Sequence, residues 1–216
     1  ASAKATAGKP PKTDLETFYP TNVLSTGRDI INLWVTRMIF SGMEFMKKPP
    51  FHDVYIHATV LTKEGQRMSK SLGTGIDPIG LIDRYGADAT RFGIAFQIMG
   101  GQDIHFTEDN IMMGKKFCNK LWNASRFVLL KSDVNSGELR KSNVPIIKRL
   151  NETVKSVNKD LNNYQFGKTA HTLYDFFWHD FCDEYIEKAK SQQDKNTQQV
   201  LLHVLATSLK LLHPFM

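Results

Sequence analysis

Residues 65–73, GQRMSKSLG, concentrate side chains that can bind phosphate. Two cations and two hydroxyls lie between flanking glycines, namely Arg67, Ser69, Lys70 and Ser71. Phosphoryl and adenylyl transfer depend mainly on cations placed where charge develops in the transition state. We therefore predict that Lys70 holds a leaving pyrophosphate, while the serines donate hydrogen bonds to phosphate oxygens or shape the turn. The spacing does not match the G-x-x-x-x-G-K-S/T pattern of a Walker A loop.

The elements around this stretch decide between a phosphate-binding loop and an ordinary solvated turn. Residues 23–26 predict a strand that ends at Gly27. Residues 54–57 and 59–61 are β-branched or aromatic and predict strands as well. Between these strands, apolar residues recur at helical spacing from Asp29, which we predict to cap that helix. The order strand, helix, strand is typical of a parallel α/β sheet.

The remainder of the chain is predicted to be helical. Asp77 and Pro78 have the residue types that begin a helix, and Gly86 would end it. Residues 88–98 predict another short helix, and the pattern stays helical after Glu108. Later helices are expected over about 143–163, 168–190 and 196–212, with the best break in this half at residues 135–137. The predicted fold class is therefore α/β plus all-α.

The composition is that of an ordinary globular protein. Hydrophobic residues make up 41% and charged residues 23% of the 216 residues. No apolar run approaches the roughly 18 residues of a membrane span, and the first 12 residues lack a secretory signal. The two cysteines, Cys118 and Cys182, lie far apart, which favours a reduced cytoplasmic setting without a disulfide framework or zinc site.

The net charge of +6 lies entirely in the second half of the chain. Residues 1–110 hold 12 basic and 12 acidic residues, whereas residues 111–216 hold 16 and 10. A polyanionic partner for the second half would explain this asymmetry. The alternative is a lysine-coated helical surface that serves solubility, and the charge alone favours this alternative.

In these surroundings, RMSKS at residues 67–71 resembles the KMSKS signature of class I aminoacyl-tRNA synthetases, with Arg67 in place of the first lysine. The segments with the same order and spacing are YPT (19–21), VLSTGRDII (23–31), WVTRMI (34–39), FHDVYIH (51–57), IDP (76–78) and RYGADATRF (84–92). Within the family they resemble the valine-specific members, and the similarity extends from residue 14 to residue 216.

The resemblance implies a division of the chain into three parts. A flexible tail over 1–13 would precede the C-terminal half of a Rossmann-like catalytic domain over 14–107. A helical anticodon-binding domain would follow over 108–216, truncated at its C-terminus. In the second half, GKKFCNKLWNA (114–124) resembles the first helix of the anticodon-binding bundle. The basic excess would then face the phosphates of tRNA(Val).

The resemblance also implies where ATP, carrying Mg²⁺, would bind. The residues implied to bind ATP are Gly27, Asp29, His57, Met68 and Lys70, and those implied to act in catalysis are Lys70, Arg67, Ser69 and Ser71. Gly27 and Asp29 would lie near the ribose, and the backbone of Met68 against the adenine. Two structural alternatives stay open, since a lone strand histidine such as His57 and a methionine side chain such as Met68 usually serve packing.

The same resemblance places Ile30 and Trp34 beside the side chain of the amino-acid substrate. Isoleucine-specific relatives usually carry a polar residue at the position of Ile30, so an apolar pair suits valine. The alternative is that both residues are ordinary core on an amphipathic helix.

No bound metal is expected from the residues of the helical half. His179 and Asp183 lie four residues apart and could share a helix face. The aromatic residues around them instead favour an amphipathic bundle helix with a charged side.

The chain departs from the family pattern in two ways. It has no H-x-G-H element and no inserted editing domain. We therefore expect a fragment of a larger cytoplasmic enzyme that activates valine with ATP and transfers it to tRNA(Val), with little activity as a fragment and no membrane partner. The alternatives are an isoleucine-specific member and a non-catalytic RNA-binding module with the same architecture.

Overall fold

The computed structural model of the chain describes residues 13–69, 73–131, 144–192 and 194–216. The strands are β1 (Thr21–Thr26), β2 (Phe51–Ile56), β3 (Val60–Leu61) and β4 (Ile104–His105). The α-helices are α1 (Asp14–Phe18), α2 (Thr36–Ser41), α3 (Pro78–Tyr85), α4 (Ala87–Phe96), α5 (Glu108–Lys131), α6 (Pro145–Asn162), α7 (Phe166–Asp175), α8 (Glu187–Ala189) and α9 (Lys195–Leu212). The chain divides into two compact units at residues 57 and 58, so each unit is described separately.

The first unit is built on two parallel strands joined by a helical connection. β1 pairs with β2 from Thr21 and Phe51 to Thr26 and Ile56, which confirms the predicted strand–helix–strand order. The connection consists of a 3₁₀ turn (Arg28–Ile30), a π-helical segment (Ile31–Val35), α2 and a second π-helical segment (Gly42–Met46).

The predicted cap at Asp29 is wrong. The hydrogen-bonded turn begins earlier, because the Ile30 N–H donates to the Gly27 carbonyl oxygen at 3.4 Å. Gly27 is therefore the residue that precedes the helical connection, and Asp29 lies inside its first turn.

The second unit begins with the short strand β3, which pairs in parallel with β4. The predicted start of α3 is confirmed, because the Asp77 carboxylate accepts the N–H groups of Ile79 at 3.0 Å and Gly80 at 3.3 Å. Pro78 occupies the first turn, and the helix ends at Gly86, whose φ of 94° favours glycine. Local signals therefore set both ends of this helix.

A helical bundle fills the rest of the second unit. Its core includes Phe117, whose ring centroid lies 4.7 Å from that of Phe92 and 6.0 Å from that of Phe177. The later predicted helices correspond to α6, to α7 and α8 joined by a π-helical segment (Phe176–Ile186), and to α9. The predicted break at residues 135–137 lies outside the described residues.

No helix in the described ranges is long and apolar enough to cross a bilayer.

Glycines allow three close backbone contacts between helices of the second unit. A Cβ built on Gly93 would lie 2.6 Å from the Asn110 carbonyl oxygen, and one on Gly114 would collide with the Ala89 carbonyl oxygen. α4 and α5 therefore cross with their backbones in contact. A Cβ on Gly167, in α7, would likewise collide with the carbonyl group of Ile98 just beyond α4.

Candidate functional site

Two predicted ATP-binding residues lie where the parallel strands of the first unit end. The His57 N–H donates to the Thr26 carbonyl oxygen at 3.0 Å, which continues the pairing of β1 with β2. Gly27 and His57 therefore follow neighbouring strands at the same edge of the sheet. Ligands of open α/β sheets bind outside the carboxyl ends of the strands.

Gly27, Asp29 and His57 come together at this edge. A Cβ on Gly27 would lie 2.8 Å from Asp29 Oδ1 and 3.7 Å from His57 Cε1. Gly27 is buried, whereas the other two residues are exposed. The missing side chain at Gly27 therefore leaves space that Asp29 and His57 border, and lets a ligand approach the backbone.

Ile30 and Trp34 stay partly exposed in the first unit. Their exposed fractions are 40% and 41%, whereas Val35 on the same helical connection is 3% exposed. Trp34 lies in the π-helical segment that follows the 3₁₀ turn, and π-helical insertions are frequent at functional sites. Val35 thus supplies the inward-facing position, while Ile30 and Trp34 offer apolar surface to solvent.

The RMSKS segment of the second unit follows a tight turn. Leu61 pairs with Arg67 across this turn, and the Thr62 N–H donates to the Gln66 carbonyl oxygen at 2.8 Å. Gly65 has a φ of 82°, and a Cβ there would lie 2.9 Å from His105 Cε1. The positive φ favours glycine at this position, whereas the exposed His105 ring could move aside.

Thr74 holds the far side of the same segment. The Ser69 N–H donates to Thr74 Oγ1 at 2.9 Å, and the Thr74 N–H donates to the Ser69 carbonyl oxygen at 3.2 Å. Lys70 and Ser71 lie outside the described residues, so their predicted roles stay predictions. The sequence analysis did not identify Thr74, although a hydroxyl residue directly after Gly73 was the available signal.

The side chain of Met68 serves packing. It lies partly buried against the small core cluster of Leu81, Phe106 and Ile111. Only the backbone of Met68 therefore stays a candidate for contact with adenine, and that prediction is untested.

A hydrogen-bonded ion pair joins α3 to the start of α5. Arg84 donates to the two carboxylate oxygens of Glu108 at 2.8 and 3.1 Å, and the Tyr85 hydroxyl donates to Glu108 at 2.6 Å. The hydrogen bonds from Tyr85 and Arg84 lower the pKa of Glu108. Exposed ion pairs add little stability, so this cluster is a specific contact between α3 and α5 rather than a large contribution to the free energy of folding.

Charged side chains of the Phe176–Ile186 segment form ion pairs with one another and with α5. Lys120 Nζ lies 2.8 Å from Asp183 Oδ1, and His179 Nδ1 lies 3.3 Å from Asp183 Oδ2. Phe176, Phe177 and Phe181 are buried on the other side. Among the described residues there is no group of three or more histidine, cysteine, aspartate or glutamate side chains that could hold a metal ion.

Each half of the chain matches a known protein family. Residues 1–107 match the family of class I tRNA synthetases (I, L, M and V), and residues 145–216 match the anticodon-binding domain of tRNA ligase. The chain belongs to the class I aminoacyl-tRNA synthetases.

Its similar relatives include valine–tRNA ligases of several bacteria. The chain is 49% identical over 221 residues to that of Thermotoga maritima and 47% identical over 223 residues to that of Fervidobacterium nodosum. Each match covers 98% of this chain and 26% of the relative, so the chain spans about a quarter of their length.

A solved structure has a similar fold. The LeuRS of Agrobacterium radiobacter K84, in a ternary complex with tRNA and LeuAMS, matches 91% of this chain and 25% of its own with a TM-score of 0.73. The sequence identity is 19%, so this match supports the fold alone. The predicted fold class, an α/β segment of a class I catalytic domain with a helical bundle, is confirmed.

Proposed function

We propose that the chain is part of a valine–tRNA ligase, which activates valine with ATP and transfers the valyl group to tRNA(Val). The observation that carries this proposal is 46–49% identity over 98% of the chain to valine–tRNA ligases. We also propose a cytoplasmic location, because the two distant free cysteines, Cys118 and Cys182, suit a reducing compartment.

The first step joins valine to AMP. A carboxylate oxygen of valine attacks the α-phosphorus of ATP, the bond from that phosphorus to the bridging oxygen breaks, and pyrophosphate leaves with the bonding electrons. Lys70 and Arg67 stabilise the charge on the departing pyrophosphate, and Ser69 and Ser71 donate hydrogen bonds to its oxygens. The hydrogen bonds between Ser69 and Thr74 support this assignment, because they fix one end of the segment that carries these groups.

The ribose of ATP is assigned to the edge of the sheet in the first unit. The Asp29 carboxylate accepts hydrogen bonds from ribose hydroxyls, and Gly27 allows the ribose to approach the backbone. His57 borders the nucleotide, and the backbone of Met68 contacts the adenine. The proximity of Gly27, Asp29 and His57 at the strand ends supports the assignment.

Magnesium enters the proposal as the counter-ion of the triphosphate. Mg²⁺ is commonly held by substrate phosphates with one or two protein carboxylates, rather than by a cage of protein ligands. Asp29 is the carboxylate at the proposed nucleotide edge.

Ile30 and Trp34 are proposed to form the walls of the valine pocket. Their partial exposure supports this role, because a pocket wall must be available to a ligand. An apolar pocket separates substrates that differ by one methylene by only about 10- to 200-fold, so the shape of its walls decides the preference.

The test uses a chimera in which residues 14–216 replace the matching segment of the Thermotoga maritima valine–tRNA ligase. We expect valine-dependent exchange of labelled pyrophosphate into ATP, with valine preferred over isoleucine by about 10- to 200-fold in kcat/KM. Ile30→Thr should reduce this preference several-fold, because it changes the chemistry of the wall that faces the substrate.

Each arm of this experiment can contradict one part of the proposal. A folded chimera that activates isoleucine better than valine would overturn the valine assignment. An unchanged preference in Ile30→Thr would show that Ile30 is not a selector. Robust exchange by the purified chain alone would overturn the expectation that this quarter of the enzyme has little activity.

A second prediction concerns the contact between Ser69 and Thr74. Thr74→Val keeps the side-chain volume but removes the acceptor of the Ser69 N–H and the hydroxyl that donates to the Ser69 carbonyl oxygen at 3.4 Å. The RMSKS segment then keeps only the backbone hydrogen bond from Thr74. We expect kcat for exchange in the chimera to fall by about 10- to 100-fold, because small displacements of positioned groups are costly. The KM for valine should stay unchanged.

Thr74→Ser is the matched control for this prediction. It restores a hydroxyl at the same position and should recover most of kcat. If the valine and serine variants lost kcat equally, the hydrogen bond would not be the cause. If neither lost kcat, Thr74 would have no positioning role.

A further inference from the structure

The strand β4 lies next to the turn that leads into the RMSKS segment. In the parallel pairing of β3 with β4, Leu61 is the partner of His105, and the Phe106 N–H donates to the Leu61 carbonyl oxygen at 3.0 Å. The tight turn at residues 62–65 follows Leu61 directly, and Arg67 then pairs back with Leu61. β4 is therefore hydrogen-bonded to the strand from which the turn departs.

The side chains along β4 alternate between the inside and the outside of the second unit. Ile104 and Phe106 are buried, whereas His105 between them is exposed, as expected for successive residues of a strand. Phe106 belongs to the small core cluster against which Met68 packs. The inner side of this strand thus supports the RMSKS segment at Met68, and His105 remains on the outer side.

On the outer side, His105 contacts the turn at two residues. His105 Nδ1 lies 3.4 Å from the Lys63 carbonyl oxygen. A carbonyl oxygen can only accept, so Nδ1 carries the proton and donates in this contact. A Cβ built on Gly65 would lie 2.9 Å from His105 Cε1 and 3.6 Å from Nδ1, so the nitrogen-bearing edge of the ring faces the turn.

The hydrogen bond from His105 affects position more than stability. It is longer than the common N–H···O range of about 2.7–3.2 Å, and the ring is exposed, so it adds little to the free energy of folding. The RMSKS segment is held at its far end by Thr74, whereas its near end continues from the turn that His105 contacts. A displacement of about 1 Å in a reacting group can cost about 100-fold in rate.

We propose that His105 is a positioning residue for the RMSKS segment and acts through its hydrogen bond to the turn at Lys63. This inference rests on the proposed function, since it concerns the placement of groups that bind pyrophosphate. His105 holds the near end of the segment, and Thr74 holds the far end. Arg67 and Ser69 lie between these two contacts in the sequence, so both contacts limit their displacement.

The test compares two substitutions of His105 in the chimera. His105→Leu keeps the branch at Cγ but places a methyl group where Nδ1 was, whereas His105→Asn returns an N–H donor at the same number of bonds from Cβ. We expect kcat for pyrophosphate exchange to fall by about 3- to 10-fold in the leucine variant and to recover to within about twofold of the parent in the asparagine variant. The KM for valine should stay unchanged, and the melting temperature should change by less than about 2 °C.

A second measurement does not depend on valine activation. The Thr62 N–H donates to the Gln66 carbonyl oxygen at 2.8 Å and the Gly65 N–H to the Thr62 carbonyl oxygen at 3.0 Å, so their hydrogen exchange reports opening of the turn. In the 216-residue chain, both amides should exchange several-fold faster in His105→Leu and at the parent rate in His105→Asn. An inactive chimera would contradict the proposed function, whereas these rates would still decide whether His105 holds the turn.

His203→Leu is the matched control, because it replaces another exposed histidine, on α9. It should change neither kcat nor the exchange of the two amides. Equal losses of kcat in the leucine and asparagine variants of His105 would overturn the hydrogen bond as the cause. An unchanged kcat or unchanged amide exchange in His105→Leu would overturn the positioning role. A loss of kcat with a melting temperature several degrees lower would also overturn it, since that result indicates a structural role.

Discussion

Replacing Lys70 with alanine is expected to slow valine-dependent pyrophosphate exchange in the chimera by about 100- to 1,000-fold. The proposed role of this lysine is to stabilise negative charge that develops only as pyrophosphate departs. A group that acts mainly in the transition state lowers kcat when it is removed and changes KM little. The measurement is therefore kcat and KM for ATP and for valine, with the melting temperature as a check on folding.

Two further variants separate this role from a general effect of charge. Lys63→Ala removes an exposed lysine from the turn that precedes the RMSKS segment, and should keep kcat within about threefold. Lys70→Arg should recover only part of the rate, because the planar guanidinium differs in shape from the compact ammonium group. A Lys70→Ala variant with kcat within threefold of the parent would refute the assignment of the pyrophosphate site.

The second large effect is expected on stability, at Gly167. Alanine is normally favoured over glycine inside a helix by about 0.5–1 kcal/mol. Here the added Cβ would collide with the Ile98 carbonyl oxygen and lie 2.6 Å from the Ile98 carbonyl carbon. A backbone group cannot swing aside as a side chain can, so α7 must move away from the end of α4. We expect Gly167→Ala to destabilise the chain by about 3 kcal/mol or more, which lowers the melting temperature by roughly 6–12 °C.

Gly101→Ala provides the matched control for the stability measurement. No described atom lies within 4 Å of a Cβ built at that position. Its melting temperature should change by less than about 2 °C. A Gly167→Ala variant that melts with the parent protein would mean that α7 and the end of α4 are not in backbone contact.

Local signals explain which elements could be predicted from the sequence. Asp77, Pro78 and Gly86 set the ends of α3 through contacts within a few residues, so their types alone were sufficient. The pairing of β3 with β4 was not predicted, because two-residue strands carry almost no periodic pattern. The π-helical segments were also missed, since their residue spacing resembles that of an ordinary helix.

The candidate site shows the same limit. Gly27 follows one predicted strand and His57 is the last residue of another, so their position at a sheet edge could be predicted from the sequence. The proximity of His57 to Gly27 and Asp29 depends on the parallel register of β1 and β2, which the residue pattern does not specify. Thr74 was missed because a hydroxyl residue after Gly73 does not by itself reveal a hydrogen bond to a backbone group five residues away.

The contact of α4 with α5 has a mechanical consequence for the second unit. Gly93 lies against Asn110 and Gly114 lies against Ala89. The backbones of α4 and α5 are therefore in direct contact at two points along their crossing. Sliding by one helical turn would require the pair to separate first, since close-packed interiors transmit strain rather than absorb it. A displacement of α5 by a bound macromolecule is therefore expected to move α4 with it, as one rigid pair of helices.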